Sequence, residues 1–179
     1  MKYFAYGSNM LEARLKHSSR APSASCIGAG MLRGYRIRFH KIGKDGSGKC
    51  NAQATDNLDD VVYGVVYHIA DRDTSVLDEK EDVPRGGYSR KQVDIVMLDD
   101  YSESPVDCYF ANPKFIDDNL LPFEWYKALV IAGALEHDLP EEYVRLLREY
   151  PSIEDSDRER SQNALHLLGP WYTRFCPDS

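Results

Sequence analysis

Val61-Val62-Tyr63-Gly64-Val65-Val66-Tyr67-His68-Ile69 is the most strand-like stretch of the 179-residue chain, because β-branched and aromatic side chains fit a pleated, half-buried surface. On its amino-terminal side, Cys50–Thr55 alternates small and polar residues as a second strand, and Asp56–Asp60 is expected to be the hairpin turn between them. Still earlier, Tyr35-Arg36-Ile37-Arg38-Phe39 has the period of two of a half-buried antiparallel strand, inside an apolar stretch that begins at Ile27. The glycine-rich segment Gly43–Gly48 follows it. On the carboxyl side, Thr74–Glu81 reads as a short helix, opened by Asp73 or Thr74 and closed before Pro84 and the Gly86-Gly87 pair. Strands at Ser89–Leu98 and Val106–Phe110 complete a β-rich region.

Beyond Pro122 the period changes. Trp125, Leu129, Ala132 and Leu135 fall on one helix face, and Tyr143, Leu146, Leu147 and Tyr150 on another. Helices of this kind cover a sheet, so the class is α+β. Pro151–Arg160 is charged and poor in large apolar residues, which predicts a loop, while Trp171, Tyr172 and Phe175 can dock the end of the chain back. One domain is expected over 1–179, with 151–179 as an extended C-terminal tail.

Composition removes several function classes. At 42% hydrophobic content the chain can bury roughly two-thirds of its unfolded surface. Its 29 acidic and 22 basic residues give a net charge of -7, which is not the footprint of a nucleic-acid binder. The first residues hold too few apolar side chains for a signal-peptide core, and no stretch approaches the ~20 needed to span a bilayer. Cys26, Cys50, Cys108 and Cys176 lack C-x-x-C pairing and read as reduced thiols, so a cytoplasmic location is expected. The five histidines show no metal-binding spacing, and no metal is expected.

Gly43-Lys44-Asp45-Gly46-Ser47-Gly48-Lys49 begins like a phosphate-binding loop, but Cys50 stands where a hydroxyl should meet Mg²⁺, and no amphipathic helix follows. A flexible hairpin loop is the expectation. Ser8 lacks the G-x-S-x-G setting of a nucleophilic serine. The Tyr6-Gly7-Ser8-Asn9 turn joins the short strand Tyr3–Tyr6 to a helix expected over Met10–Leu15. Glycine there lets successive N–H groups converge on an anion such as a carboxylate, and a plain helix cap by Ser8 or Asn9 is the competing reading. Leu77-Asp78-Glu79-Lys80-Glu81-Asp82 is ordinarily a solvated helix end. Yet Leu77 and Glu81 are an i,i+4 pair, so a buried Leu77 turns Glu81 inward, where it can serve as a general base.

Together, Tyr3-Phe4-Ala5-Tyr6-Gly7-Ser8-Asn9-Met10 and Leu77-Asp78-Glu79-Lys80-Glu81-Asp82-Val83 resemble the γ-glutamylcyclotransferase family. Gly64-Val65-Val66-Tyr67 resembles the family's central strand, and Tyr126–Ala134 with Leu139–Tyr143 its helical segment, so the similarity runs from Tyr3 to Leu147. The resemblance implies a small mixed, mostly antiparallel β-barrel with flanking helices. It also implies a cofactor-independent enzyme that makes the amine of a small γ-glutamyl substrate attack its own side-chain carbonyl, releasing 5-oxoproline. Glu81 would be the catalytic acid/base, with Tyr3, Phe4, Ala5, Tyr6, Gly7, Ser8, Asn9 and Tyr109 at the substrate. A homodimer is compatible with it. Asp82 departs from the pattern, since relatives often carry glycine there, and nothing after Pro151 matches. Antibiotic-biosynthesis enzymes and plant AIG2-like proteins share the architecture, and a non-catalytic binding module of the same fold is the alternative function.

Overall fold

The computed structural model describes residues 1–175. Strands β1 (Lys2–Ala5), β2 (Ser25–Arg33), β5 (Val61–His68), β6 (Tyr88–Met97) and β7 (Glu103–Ala111) close into a barrel in the order β1-β5-β2-β6-β7. Neighbours pair antiparallel, except that β1 meets β7 in parallel at Tyr3↔Asp107. A barrel leaves no open sheet edge, and the strand richest in β-branched residues, β5, is central, paired on both sides.

The remaining strands, β3 (Tyr35–Ile42) and β4 (Gly48–Ala54), form a separate antiparallel hairpin across the Gly43–Ser47 loop. The chain leaves the barrel at Gly34, whose φ is 77°. Asp56–Asp60 is therefore not a hairpin turn, because β4 and β5 belong to different sheets. The Asp60 carbonyl accepts from the Gly34 and Tyr35 N–H groups, and Thr55 N–H donates to the Gly34 carbonyl, which fastens this crossover.

The helix expected over Met10–Leu15 is split into a 3₁₀ turn (Ser8–Met10) and a single α-helical turn, α1 (Glu12–Leu15), because Leu11 takes extended backbone angles. Helix α2 (Asp71–Lys80) begins a turn earlier than Asp73 or Thr74 would cap it. Asp73 is not a cap; its carboxylate accepts from the Ser23 N–H at 2.8 Å. Helix α3 (Glu124–Glu136), buried nearly all round from Trp125 to Ala134 instead of on the one face the spacing suggested, is followed by the amphipathic helix α4 (Glu141–Glu149). Helix α3 packs directly on the Ser8–Met10 turn: a Cβ on Gly133 would lie 2.5 Å from the Leu11 nitrogen and 2.6 Å from the Met10 Cβ, so only glycine permits the approach.

The predicted loop Pro151–Arg160 enters helix α5 (Arg158–Leu165) at its end, with Asp157 accepting from Arg160 N–H as the N-cap. Asp155, buried, holds this segment: it accepts from Trp125 Nε1 (2.7 Å) in α3 and from Arg160 Nε (2.7 Å) and Nη2 (2.5 Å). Ala164 and Leu168 enter the core, and Trp171, Tyr172 and Phe175 pack against it, the last two within the short helix α6 (Tyr172–Phe175). Cys26, Cys50 and Cys108 are free thiols, and Cys176 lies outside the described residues. Among the described residues, no helix is long and apolar enough to cross a membrane.

Candidate active site

A cavity of about 270 Å³ opens where the end of β1, α1, the β3–β4 hairpin, the last turn of α2 and the first turn of α3 converge. Tyr3, Tyr6, Gly7, Ser8, Asn9, Glu81 and Tyr109 line it. Phe4 and Ala5 do not: both are fully buried barrel residues, paired with Val66 and Val65 of β5.

Glu81 is placed by helix geometry. Its N–H closes the last α-helical bond onto the carbonyl of Leu77 (2.9 Å), Leu77 is fully buried, and the Glu81 side chain is turned inward with only 17% of its surface exposed. The helix then stops at Asp82, whose φ of 60° is left-handed. A residue without a Cβ takes that conformation freely, which gives a physical reason for glycine at this point of the pattern. Here aspartate is held there by Arg85 Nε (2.7 Å) and Lys44 Nζ (3.3 Å).

Asn9 fixes the carboxylate. Its Nδ2 donates one hydrogen to Glu81 Oε1 (2.9 Å) and the other to Tyr3 Oη (3.1 Å), while its Oδ1 accepts from Arg20 Nη1 (3.2 Å). With every polar position used, the amide has one orientation. Arg20 Nη1 also lies 3.5 Å from Glu81 Oε1. Around this network stand tyrosines kept as neutral phenols by burial. Tyr6 Oη donates to the Tyr109 carbonyl, Tyr109 Oη donates to Asp78 Oδ1 (2.7 Å), and Tyr126 Oη accepts from Cys50 N–H (3.1 Å). Among the described residues, no protein group accepts from the N–H groups of Gly7, Ser8 or Asn9. A Cβ on Gly7 would press on Cys50 Cβ at 3.1 Å, so glycine keeps this turn against the hairpin.

The structure adds residues that sequence reasoning did not assign: Arg14, Lys41, Lys44, Asp45, Lys49, Cys50, Tyr88, Trp125 and Tyr126. Most of the charges are matched. Lys49 meets Asp45 at 2.7 Å and sits over the rings of Tyr126 and Trp125, and Lys44 meets Asp82. Arg14 and Lys41 have no carboxylate within salt-bridge distance among the described residues, and Arg14 Nε is buried without a hydrogen-bond partner. Burial, with the nearby Arg20 cation, lowers Arg14 to about 10; burial lowers Lys41 as well. A buried ammonium and a half-buried guanidinium, neither in contact with a carboxylate among the described residues, make an anion-binding surface.

Nucleophilic chemistry by the protein finds no support. Burial pushes the Cys50 thiol up to about 12, so it stays protonated at neutral pH, and no histidine is among the lining residues to activate Ser8. What the cavity offers is one oriented carboxylate, free N–H groups, neutral phenols and unpaired cations.

Comparison with known proteins bears on the family and the fold. Residues 61–147, from β5 through α4, match the model of the AIG2-like family. A Bos taurus protein named gamma-glutamylcyclotransferase is 30% identical over 158 residues, which span 87% of this chain and 79% of the relative, and the Homo sapiens protein of that name matches to the same extent. A solved structure titled gamma-glutamyl cyclotransferase superposes with a TM-score of 0.80 at 25% identity, covering 90% of this chain and 95% of the other. The match extends over most of both chains, and the family model takes in β5 and the helix that carries Glu81. The chain is thus a member of the γ-glutamylcyclotransferase family.

Proposed function

We propose that this chain is a γ-glutamylcyclotransferase, that is, an intramolecular aminolysis enzyme with Glu81 as its general acid/base. The supporting observation is the Glu81 carboxylate, inside the cavity and tied by Asn9 to the turn whose N–H groups are free. The α-amine of a γ-glutamyl substrate is an ammonium ion at neutral pH and cannot attack. Glu81 takes a proton from it; the freed amine attacks the side-chain carbonyl of the same molecule and closes a five-membered lactam. Glu81 passes that proton to the departing nitrogen and takes the second surplus proton from the ring nitrogen; the tetrahedral intermediate collapses to 5-oxoproline and a free amine, which receives the second proton from Glu81 and leaves as an ammonium ion. No group has to leave or join the protein.

Holding the glutamyl chain folded on itself supplies much of the remaining acceleration. Arg14 and the N–H groups of the Gly7–Asn9 turn are the anion-recognising elements of the site, divided between the substrate's α-carboxylate and the oxygen that gains charge in the intermediate. Lys41, near the hairpin loop, meets the acceptor end. Cytoplasmic residence accords with free Cys50 and Cys108 thiols. The alternative of a binding module without turnover is not favoured, because a binder of an acidic metabolite gains nothing from an inward carboxylate.

The test is a substrate panel. γ-Glutamyl-alanine, γ-glutamyl-ε-lysine and glutathione are incubated with the protein and 5-oxoproline is quantified. Release from γ-glutamyl-alanine in preference to glutathione is the expected result; calorimetric binding of the dipeptide with no product formed from any of them would establish the binding module instead.

A further inference from the structure

Cys26, His137 and Glu12 are 14 to 125 positions apart in sequence, yet one carboxylate oxygen of Glu12, a ring nitrogen of His137 and the Cys26 sulfur all lie within 4.8 Å of one another. They come from three elements: β2 beside its bulge at Cys26/Gly28, the residue that ends α3, and the first residue of α1. None of them lines the cavity described above.

The histidine's tautomer follows from its partners. Tyr67 Oη spends its hydrogen on the Met10 carbonyl (2.6 Å), so that both groups facing His137 Nε2, Tyr67 Oη at 2.8 Å and the Met10 carbonyl at 3.1 Å, are acceptors. His137 Nε2 therefore carries the hydrogen and Nδ1 carries a lone pair. That lone pair faces Cys26 Sγ at 3.7 Å. Zinc bonded at ~2.3 Å to sulfur and ~2.0 Å to nitrogen at the tetrahedral angle holds those two atoms about 3.5 Å apart. A ligating histidine that gives its other N–H to an oxygen acceptor is the usual outer arrangement of a metal site.

We infer that Cys26, His137 and Glu12 form a three-ligand site for a zinc-like divalent cation, with its fourth position open to solvent. A thiolate, an imidazole and a carboxylate select a borderline-soft ion over magnesium or calcium. On binding, the metal–sulfur bond replaces the sulfur–hydrogen bond of Cys26, and the proton leaves to solvent. Glu136, which accepts from the Glu12 N–H (2.8 Å), adds a second carboxylate beside the site, while Lys16 Nζ, 2.5 Å from Glu12 Oε2, is the cation that the ion would displace or share that carboxylate with. The ion would join α1, β2 and the end of α3. Through the hydrogen bond from His137 to the Met10 carbonyl, it would also brace the Ser8–Met10 turn.

Cobalt titration of the metal-free full-length protein tests the site. One equivalent of Co²⁺ should produce tetrahedral d–d bands and a thiolate-to-cobalt charge-transfer band, and one equivalent of Zn²⁺ should abolish both and raise Tm. Cys26→Ser, at an exposed position, should lose the charge-transfer band and the zinc-dependent rise in Tm while its metal-free circular dichroism overlays that of the wild type. Glu12→Gln should weaken binding about tenfold or more. A Co²⁺ spectrum without the thiolate band, or one unchanged in Cys26→Ser, overturns the site.

Discussion

The closed barrel and the β3–β4 hairpin meet across one cavity and bring different chemistry to it. The barrel side presents the turn that follows β1 and the helix that follows β5, hence Asn9 and Glu81, locked together by a hydrogen bond of 2.9 Å. The hairpin side presents Lys41, Lys44, Asp45 and Lys49, three cations and one acid, on a two-stranded sheet that shares no strand with the barrel. A group that moves protons needs fixed geometry, and Glu81, proposed for that role, sits on an element tied into the barrel. Lys41, assigned above to the acceptor end, sits on the hairpin, whereas Arg14 and the Gly7–Asn9 N–H groups, assigned to the glutamyl end, belong to the barrel side.

The largest expected effect breaks the barrel side. Glu81→Gln should lower kcat by ~10²-fold or more, the ordinary scale of a lost general acid/base, with Tm near the wild type's because the amide still accepts from Asn9. A kcat within threefold would move the proton transfer elsewhere. Next, Arg14→Met should reduce kcat/KM by roughly 10- to 100-fold, the loss of one charged hydrogen-bonding contact. A loss confined to KM assigns Arg14 the α-carboxylate; a loss confined to kcat assigns it the intermediate's oxygen. Folding lowers Arg14 below its usual range, so its charge opposes folding at neutral pH. The variant should therefore melt at or above the wild-type temperature, read by calorimetry.

Lys41→Met sharpens the comparison from the hairpin side. Its expected cost is smaller, about tenfold in KM with kcat nearly unchanged, and largest for substrates whose leaving amine carries a carboxylate. The smallest effect on turnover belongs to Asp155→Asn, which acts on stability. Hydrogen bonds from Arg160 hold the Asp155 carboxyl at about 2, below the usual carboxylate range. Its contribution is thus present above the unfolded value near pH 4 and is lost as pH falls toward 2. Urea melts should show the wild type ahead of the variant at pH 7 and the gap shrinking over that window.

Strands β1, β5, β6 and β7 of the barrel were legible in the sequence, and α4 through its 3.6 period, whereas β2, rich in glycine and small residues, was not separated from Tyr35–Phe39, which lies outside the barrel. The inward position of Glu81 was legible too, through its spacing from Leu77. The errors share a cause. Asp56–Asp60 looked like a hairpin turn because adjacency in sequence suggests pairing, whereas the turn at Gly34 sends β3 and β4 off the barrel, a decision made by tertiary packing. Phe4 and Ala5 entered the candidate site with their neighbours although they face the core. Lys41 and Lys49 were invisible because a lysine in a strand reads as solvated, and nothing local says that Tyr88 or Tyr126 will cover it. Arg14 had a weak signal, a cation one helical turn beyond the glycine turn. Cys26 and His137, 111 residues apart, had none.

The central claim is that Glu81 moves protons and does not merely hold the substrate. Calorimetric titration of γ-glutamyl-alanine into Glu81→Gln, run beside a 5-oxoproline assay on the same sample, separates the two. A dissociation constant within a few-fold of the wild type's KM, with 5-oxoproline release down ~10²-fold, is the predicted result. Turnover at the wild-type rate, or binding lost in step with turnover, would contradict it.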